Sequence, residues 1–121
     1  MTDTSGAAGP DGLTITSAPI DGVHVITVRG EIDYHTGDPL SQALSLPEGA
    51  AASRIVVDLS GVTFMDSSGI NVLIAARNAV HDADGWLRLA GATEPLMRTM
   101  QLVGLDQIID CYPALRHALD A

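Results

Sequence analysis

Apolar and polar residues alternate through Leu13, Thr14, Ile15, Thr16 and Ser17. That is the period of a half-buried strand, in which successive side chains point to opposite faces. Asp21-Gly22 follows, a dipeptide suited to a tight hairpin because both residues tolerate positive φ. Residues 23–29 then read as a second strand, ended by Gly30. Across residues 34–46, Leu40, Ala43, Leu44 and Leu46 recur at near-helical spacing. Pro39 fits the first turn of that helix, where a missing N–H is tolerated, and Pro47-Glu48-Gly49 breaks the run.

The next segment, Arg54-Ile55-Val56-Val57-Asp58-Leu59, is a nearly continuous apolar, β-branched run. Such a run predicts a strand buried on both faces, hence central in its sheet. Residues 60–66 read as a loop, and residues 67–81 carry helical periodicity. A strand is expected over 85–90. A helix then starts at Thr93-Glu94-Pro95, which offers a cap, an acid in the first turn and an early proline. Leu96, Met97, Met100 and Val103 form its inner stripe, and Gly104 is placed to stop it. Ile108-Ile109 reads as a short edge strand and residues 113–119 as a last helix. Strands alternating with helices after a hairpin predict an α/β fold, with helices covering a mixed sheet.

With 121 residues and 46% hydrophobic composition, the chain can bury one real core. Residues 1–12, rich in small and polar side chains, read as a flexible tail, and residues 13–121 as one domain. Aromatic residues are only 3%, so the core must be aliphatic. Six basic against fifteen acidic residues give a net charge of −9. That balance opposes phosphate backbones and anionic membranes and favours a basic protein partner. A single cysteine, Cys111, allows no internal disulfide, and a buried structural thiol is expected there. Neither a secretory leader nor a membrane-spanning run is visible, so the expected address is the cytoplasm.

There is no phosphate-binding Gly-Lys-Ser/Thr loop and no dinucleotide fingerprint. The histidines at 24, 35, 81 and 117 lack metal-ligand spacing with each other or with Cys111. Hence no catalytic residue, metal or cofactor is expected. A hydrolase using Ser67 is disfavoured, since Ser67-Ser68-Gly69 lacks the glycine two residues before the serine that a nucleophile elbow requires. The informative stretch is the buried strand at Val57-Asp58-Leu59 leading to Phe64-Met65-Asp66-Ser67-Ser68-Gly69. It delivers two hydroxyls to a helix start, where free N–H groups and the helix dipole suit a phosphate. Asp66 or Ser67 could equally be a plain N-cap. Helical spacing sets Ile70, Ile74 and Arg77 on one flank beside Ser67, which fits either a docking face or core packing.

Phe64-Met65-Asp66-Ser67-Ser68-Gly69, following Val56-Val57-Asp58-Leu59-Ser60, resembles the phosphorylation loop of the anti-sigma factor antagonists, the STAS-domain family. Gly30-Glu31-Ile32-Asp33 is similar to the segment that ends the family's second strand, and Leu102-Val103-Gly104-Leu105 to its turn before the last strand. The resemblance runs from about residue 13 to residue 119. It implies a STAS fold, a mixed sheet of four to five strands covered by about four helices. It also implies a protein that is not an enzyme but a partner switch. The unphosphorylated form binds an anti-sigma factor with serine kinase activity and frees a sigma factor. Phosphorylation reverses this, and a PP2C-type serine phosphatase resets it. By position, Ser67 would be the phosphoacceptor. Asp33 and Asp66 would hold the loop and the kinase contact, and Ser68 would be structural. Gly69, Ile70, Ile74 and Arg77 would belong to the loop and its partner contacts. The alternative is a STAS sensor or scaffold module that binds a small ligand or a larger complex without a phosphorylation cycle.

Overall fold

A computed structural model describes residues 13–33, 37–44 and 54–121. The expected tail at 1–12, the start of the first helix at 34–36 and the break at 47–49 lie outside the described residues. Strands β1 (Thr14–Ile20) and β2 (Val23–Ile32) form the hairpin expected of Asp21-Gly22, where both residues have positive φ. Helix α1 (Gly37–Ala43) leads to β3 (Arg54–Met65), α2 (Ser67–Asp82) and β4 (Trp86–Ala90). Helix α3 (Glu94–Leu102), a 3-10 turn at Leu105–Gln107, β5 (Cys111–Tyr112) and α4 (Leu115–Asp120) complete the chain. The five strands lie in the order β1-β2-β3-β4-β5. β1 is antiparallel to β2 and the other pairs are parallel, so the sheet is mixed, as expected.

β3 is the middle strand, and Val56, Val57 and Leu59 are fully buried. Alternation along it feeds two cores. Ile55, Val57 and Leu59 pack with Leu40 of α1, Leu73 and Val80 of α2, and Leu96 and Met100 of α3. Val56 faces the other way and packs with Val23, Val25, Ala90 and Ala118 of α4. Arg88 helps hold α4. Its guanidinium stacks 3.7 Å from the centroid of the Trp86 ring and donates to the carbonyl of Ala118 at 2.9 Å.

Three expectations need correction. Residues 60–65 are not a loop but the second half of β3. Relative to β2, the strand carries an extra residue between Asp58 and Gly61, and another between Val62 and Phe64. These two bulges abolish simple alternation. They bring Leu59, Val62 and Met65, at a spacing of three, all into the core. Ile108-Ile109 is not a strand either. The chain makes a 3-10 turn after Gly104, and the edge strand is Cys111–Tyr112. Ile109 is nonetheless buried, which is why its apolarity looked strand-like. Finally, Val103 leaves the inner stripe of α3. It is 55% exposed, because the helix ends at Leu102 and the backbone turns left-handed at Gly104.

Candidate functional site

The parallel strands β2 and β3 end side by side, with Ile32 opposite Met65. Asp33 and Asp66, the next residues of each strand, therefore emerge at one sheet edge. The backbone N–H of Asp66 donates to the carbonyl of Ile32 at 3.1 Å, which fixes the start of α2 to the end of β2. Asp66 is extended (φ −101°, ψ −170°) and is the N-cap. Its Oδ1 accepts from the N–H of Ser68 at 2.8 Å and from that of Gly69 at 3.4 Å.

That geometry divides two roles the sequence had left open between neighbours. Asp66 caps the helix. Ser67 is its first residue, exposed, with no hydrogen bond to its hydroxyl from the described residues. The positive end of α2 thus already holds a carboxylate on two of its N–H groups. A phosphate on Ser67 would sit at the helix start but beside the Asp66 charge rather than in an empty cradle.

Gly69 explains how the helix start comes so close to the sheet. A Cβ there would fall 2.5 Å from Cγ2 of Ile32 and 2.7 Å from Cγ of Met65, both buried. Ser68 and Asp33 are half-buried on the same rim. Ile70 lies in the core at 8% exposure, whereas Ile74 is half-buried and packs against that core. Arg77 is ten residues beyond Ser67, about 15 Å along a helix rising 1.5 Å per residue. It hydrogen-bonds Asn78 at 3.1 Å and borders a separate cleft with His81, Trp86 and Ile108. The structure therefore brings Asp33, Asp66, Ser67, Ser68 and Gly69 together and sets Arg77 apart.

A second feature beside Ser67 was not foreseen. An open groove of about 740 Å³ runs between the end of β3 and the first turns of α3. Val62, Phe64, Asp66, Leu96 and Thr99 are among its walls. Phe64, the single phenylalanine of the chain, is 49% exposed there. A phenylalanine before the Asp-Ser-Ser-Gly block was visible in the sequence. Its outward direction depends on the second bulge, which no periodicity reveals.

Cys111 is half-buried, and its Sγ lies 3.4 Å from the carbonyl of Ile109. Burial, with the charges of Asp106 and Asp110 adding to it, pushes its thiol up to about 11. A thiol so held is a poor nucleophile at neutral pH. Among the described residues no group of three or more His, Cys, Asp or Glu side chains is placed to hold a metal. No helix among them is long and apolar enough to cross a membrane.

Comparison with known proteins places these features in a family. The STAS domain model matches residues 15–118. The anti-sigma-F factor antagonist RsfB of Mycobacterium tuberculosis is 30% identical over 112 residues, covering 93% of this chain and 91% of that protein. The anti-sigma-B factor antagonist of Listeria monocytogenes is 32% identical over 85 residues, 70% of this chain and 75% of that one. The crystal structure of an anti-sigma factor antagonist from Mycobacterium paratuberculosis superposes with a TM-score of 0.78 at 36% identity, covering 93% and 96% of the two chains.

Proposed function

The chain belongs to the STAS domain family, and on that premise we propose that it is an anti-sigma factor antagonist switched by phosphorylation of Ser67. The observation that carries this reading is the division between Asp66 and Ser67. Capping is done by Asp66, so the Ser67 hydroxyl is exposed at the helix start and available to a kinase. The names of the relatives supply the class of partner, an anti-sigma factor.

In this reading the unphosphorylated protein docks its α2 start against an anti-sigma factor that is also a serine kinase, and a sigma factor is released. Phosphate transfer to Ser67 adds about −1.5 to −2 charges and a strongly hydrated group. Within a closed contact it would stand beside the half-buried carboxylate of Asp66 and must lose water. A penalty of roughly 3 kcal/mol weakens binding about a hundredfold. No refolding is required. A PP2C-type phosphatase would restore the free hydroxyl. Asp33, Ser68, Gly69, Ile70 and Ile74 line or support this face, and Arg77 would contact only a partner broad enough to reach along α2. Partner switching of this kind belongs in the cytoplasm.

The test is phosphorylation by the organism's own anti-sigma factor kinase, followed by peptide mapping. Phosphate on Ser67, with Ser68 minor, is expected. Phosphate chiefly on Ser68 or Thr63 contradicts the assignment. A stable complex in which no residue is ever phosphorylated would favour the sensor or scaffold reading instead.

A further inference from the structure

β5 is shorter than the strand it pairs with. It meets β4 at Leu89 and Ala90 alone, so the outer edge of β4 at residues 86–88 has no strand beside it among the described residues. Register fixes where that edge points. The N–H of Leu89 donates to the carbonyl of Asp110 at 3.0 Å, so the main-chain groups of Leu89 are turned away from β3. Those of Leu87 are turned the same way, because a strand repeats every second residue. Leu87 is only 5% exposed, yet its N–H and C=O meet no hydrogen-bond partner among the described residues. A buried residue normally has both groups paired, and here both open into a cleft.

That cleft, of about 370 Å³, lies between the last turns of α2, the start of β4 and the chain leading into β5. Its sides carry opposite charges. On the α2 side stand Arg77 and His81, one helical turn apart. Arg77 gives one N–H to Asn78, which leaves the rest of its guanidinium fork available, and it forms no ion pair with a described residue. On the β5 side are Asp110 and Gln107, whose side-chain amide is bonded to Asp106 at 3.5 Å. Apolar surface comes from Ile108, 42% exposed, and from Trp86, whose ring is backed by the Arg88 guanidinium. An anion alone would face Asp110 and a cation alone would face Arg77, so a molecule carrying both charges fits best. We propose that this cleft binds a free α-amino acid with an apolar side chain. Its carboxylate would accept from the Leu87 N–H and face Arg77 and His81. Its ammonium would donate to the Leu87 carbonyl and face Asp110, and its side chain would lie against Ile108 and Trp86. The cleft is at the opposite end of α2 from Ser67, and the inference does not rest on the antagonist reading.

The experiment uses the full chain. Trp86 is its single tryptophan, so tryptophan fluorescence reports on this cleft directly. Leucine and phenylalanine should each change that fluorescence saturably, and the backbone amide resonance of Leu87 should shift in step. Leucinamide, which lacks the carboxylate, and isocaproate, which lacks the ammonium, should bind at least about tenfold more weakly than leucine, since each loses a charge-assisted hydrogen bond. Arg77→Gln and Asp110→Asn should each weaken leucine binding by a similar factor. Neither side chain is buried, so both variants should keep the melting temperature of the wild type. No saturable response to either amino acid up to about 10 mM, a range that reaches even weak binding, overturns the site. So does equal binding of leucine, leucinamide and isocaproate, or full leucine affinity in both variants. Phosphate mapping on Ser67 tests the antagonist reading separately, and neither result decides the other.

Discussion

Asp66 and Ser67 are adjacent, chemically similar as helix caps, and used differently. The sequence allowed either to be the N-cap, since both types commonly are. The backbone decides, because Asp66 is extended and Ser67 is already helical. The two bonds from Ser68 and Gly69 to Asp66 make a prediction that separates capping from charge. Asp66→Ala should lower stability by about 1 kcal/mol, the usual loss of a cap, while Asp66→Asn should keep most of it because asparagine caps equally well. Thermal denaturation of the two variants measures this. Equal losses would show that the carboxylate charge, and not the cap bond, holds the helix start.

At the scale of elements, α2 does two jobs along its length. Its first turn presents Ser67, and its inner stripe of Ile70, Leu73, Ala76 and Val80 is buried on the sheet. Ile70 was open to either a docking or a packing role, and its burial shows that it packs into the core. Ile70→Ala should therefore cost about 2–5 kcal/mol, and Ile74→Ala, half-buried, less than half as much. Urea unfolding decides. If Ile70→Ala proves harmless to stability, that packing is not what it is described to be. Legibility followed the same division. The buried run of β3, the Thr93 cap of α3 and the turn at Asp21-Gly22 were readable because each has a local cause. The Thr93 cap, for instance, is a side chain accepting from Leu96 N–H at 3.4 Å. The second half of β3 was misread because its two bulges are defined only against β2, a partner distant in sequence. For the same reason the groove, which needs β3, β4 and α3 together, left no signature in the chain.

At the scale of the whole molecule, the proposed switch requires little of the fold. A five-stranded sheet, closed by three helices on one face and α4 on the other, holds the start of α2 at the ends of β2 and β3. A charge added there has no core to disturb, since Ser67 is exposed. An acid at a helix start is tolerated in the free domain. The net charge of −9 favours a basic partner surface, against which a new anion gains at long range. In the proposed switch, release therefore comes from close range, from Asp66 and from desolvation within the contact. The most direct measurement is isothermal titration of the anti-sigma factor kinase, with ADP present, into Ser67→Ala and into protein stoichiometrically phosphorylated on Ser67. The melting temperatures of the two free proteins should be nearly equal. Tight binding to Ser67→Ala and binding at least about a hundredfold weaker to the phosphorylated chain is the predicted result. Equal affinity for the two would contradict the switch.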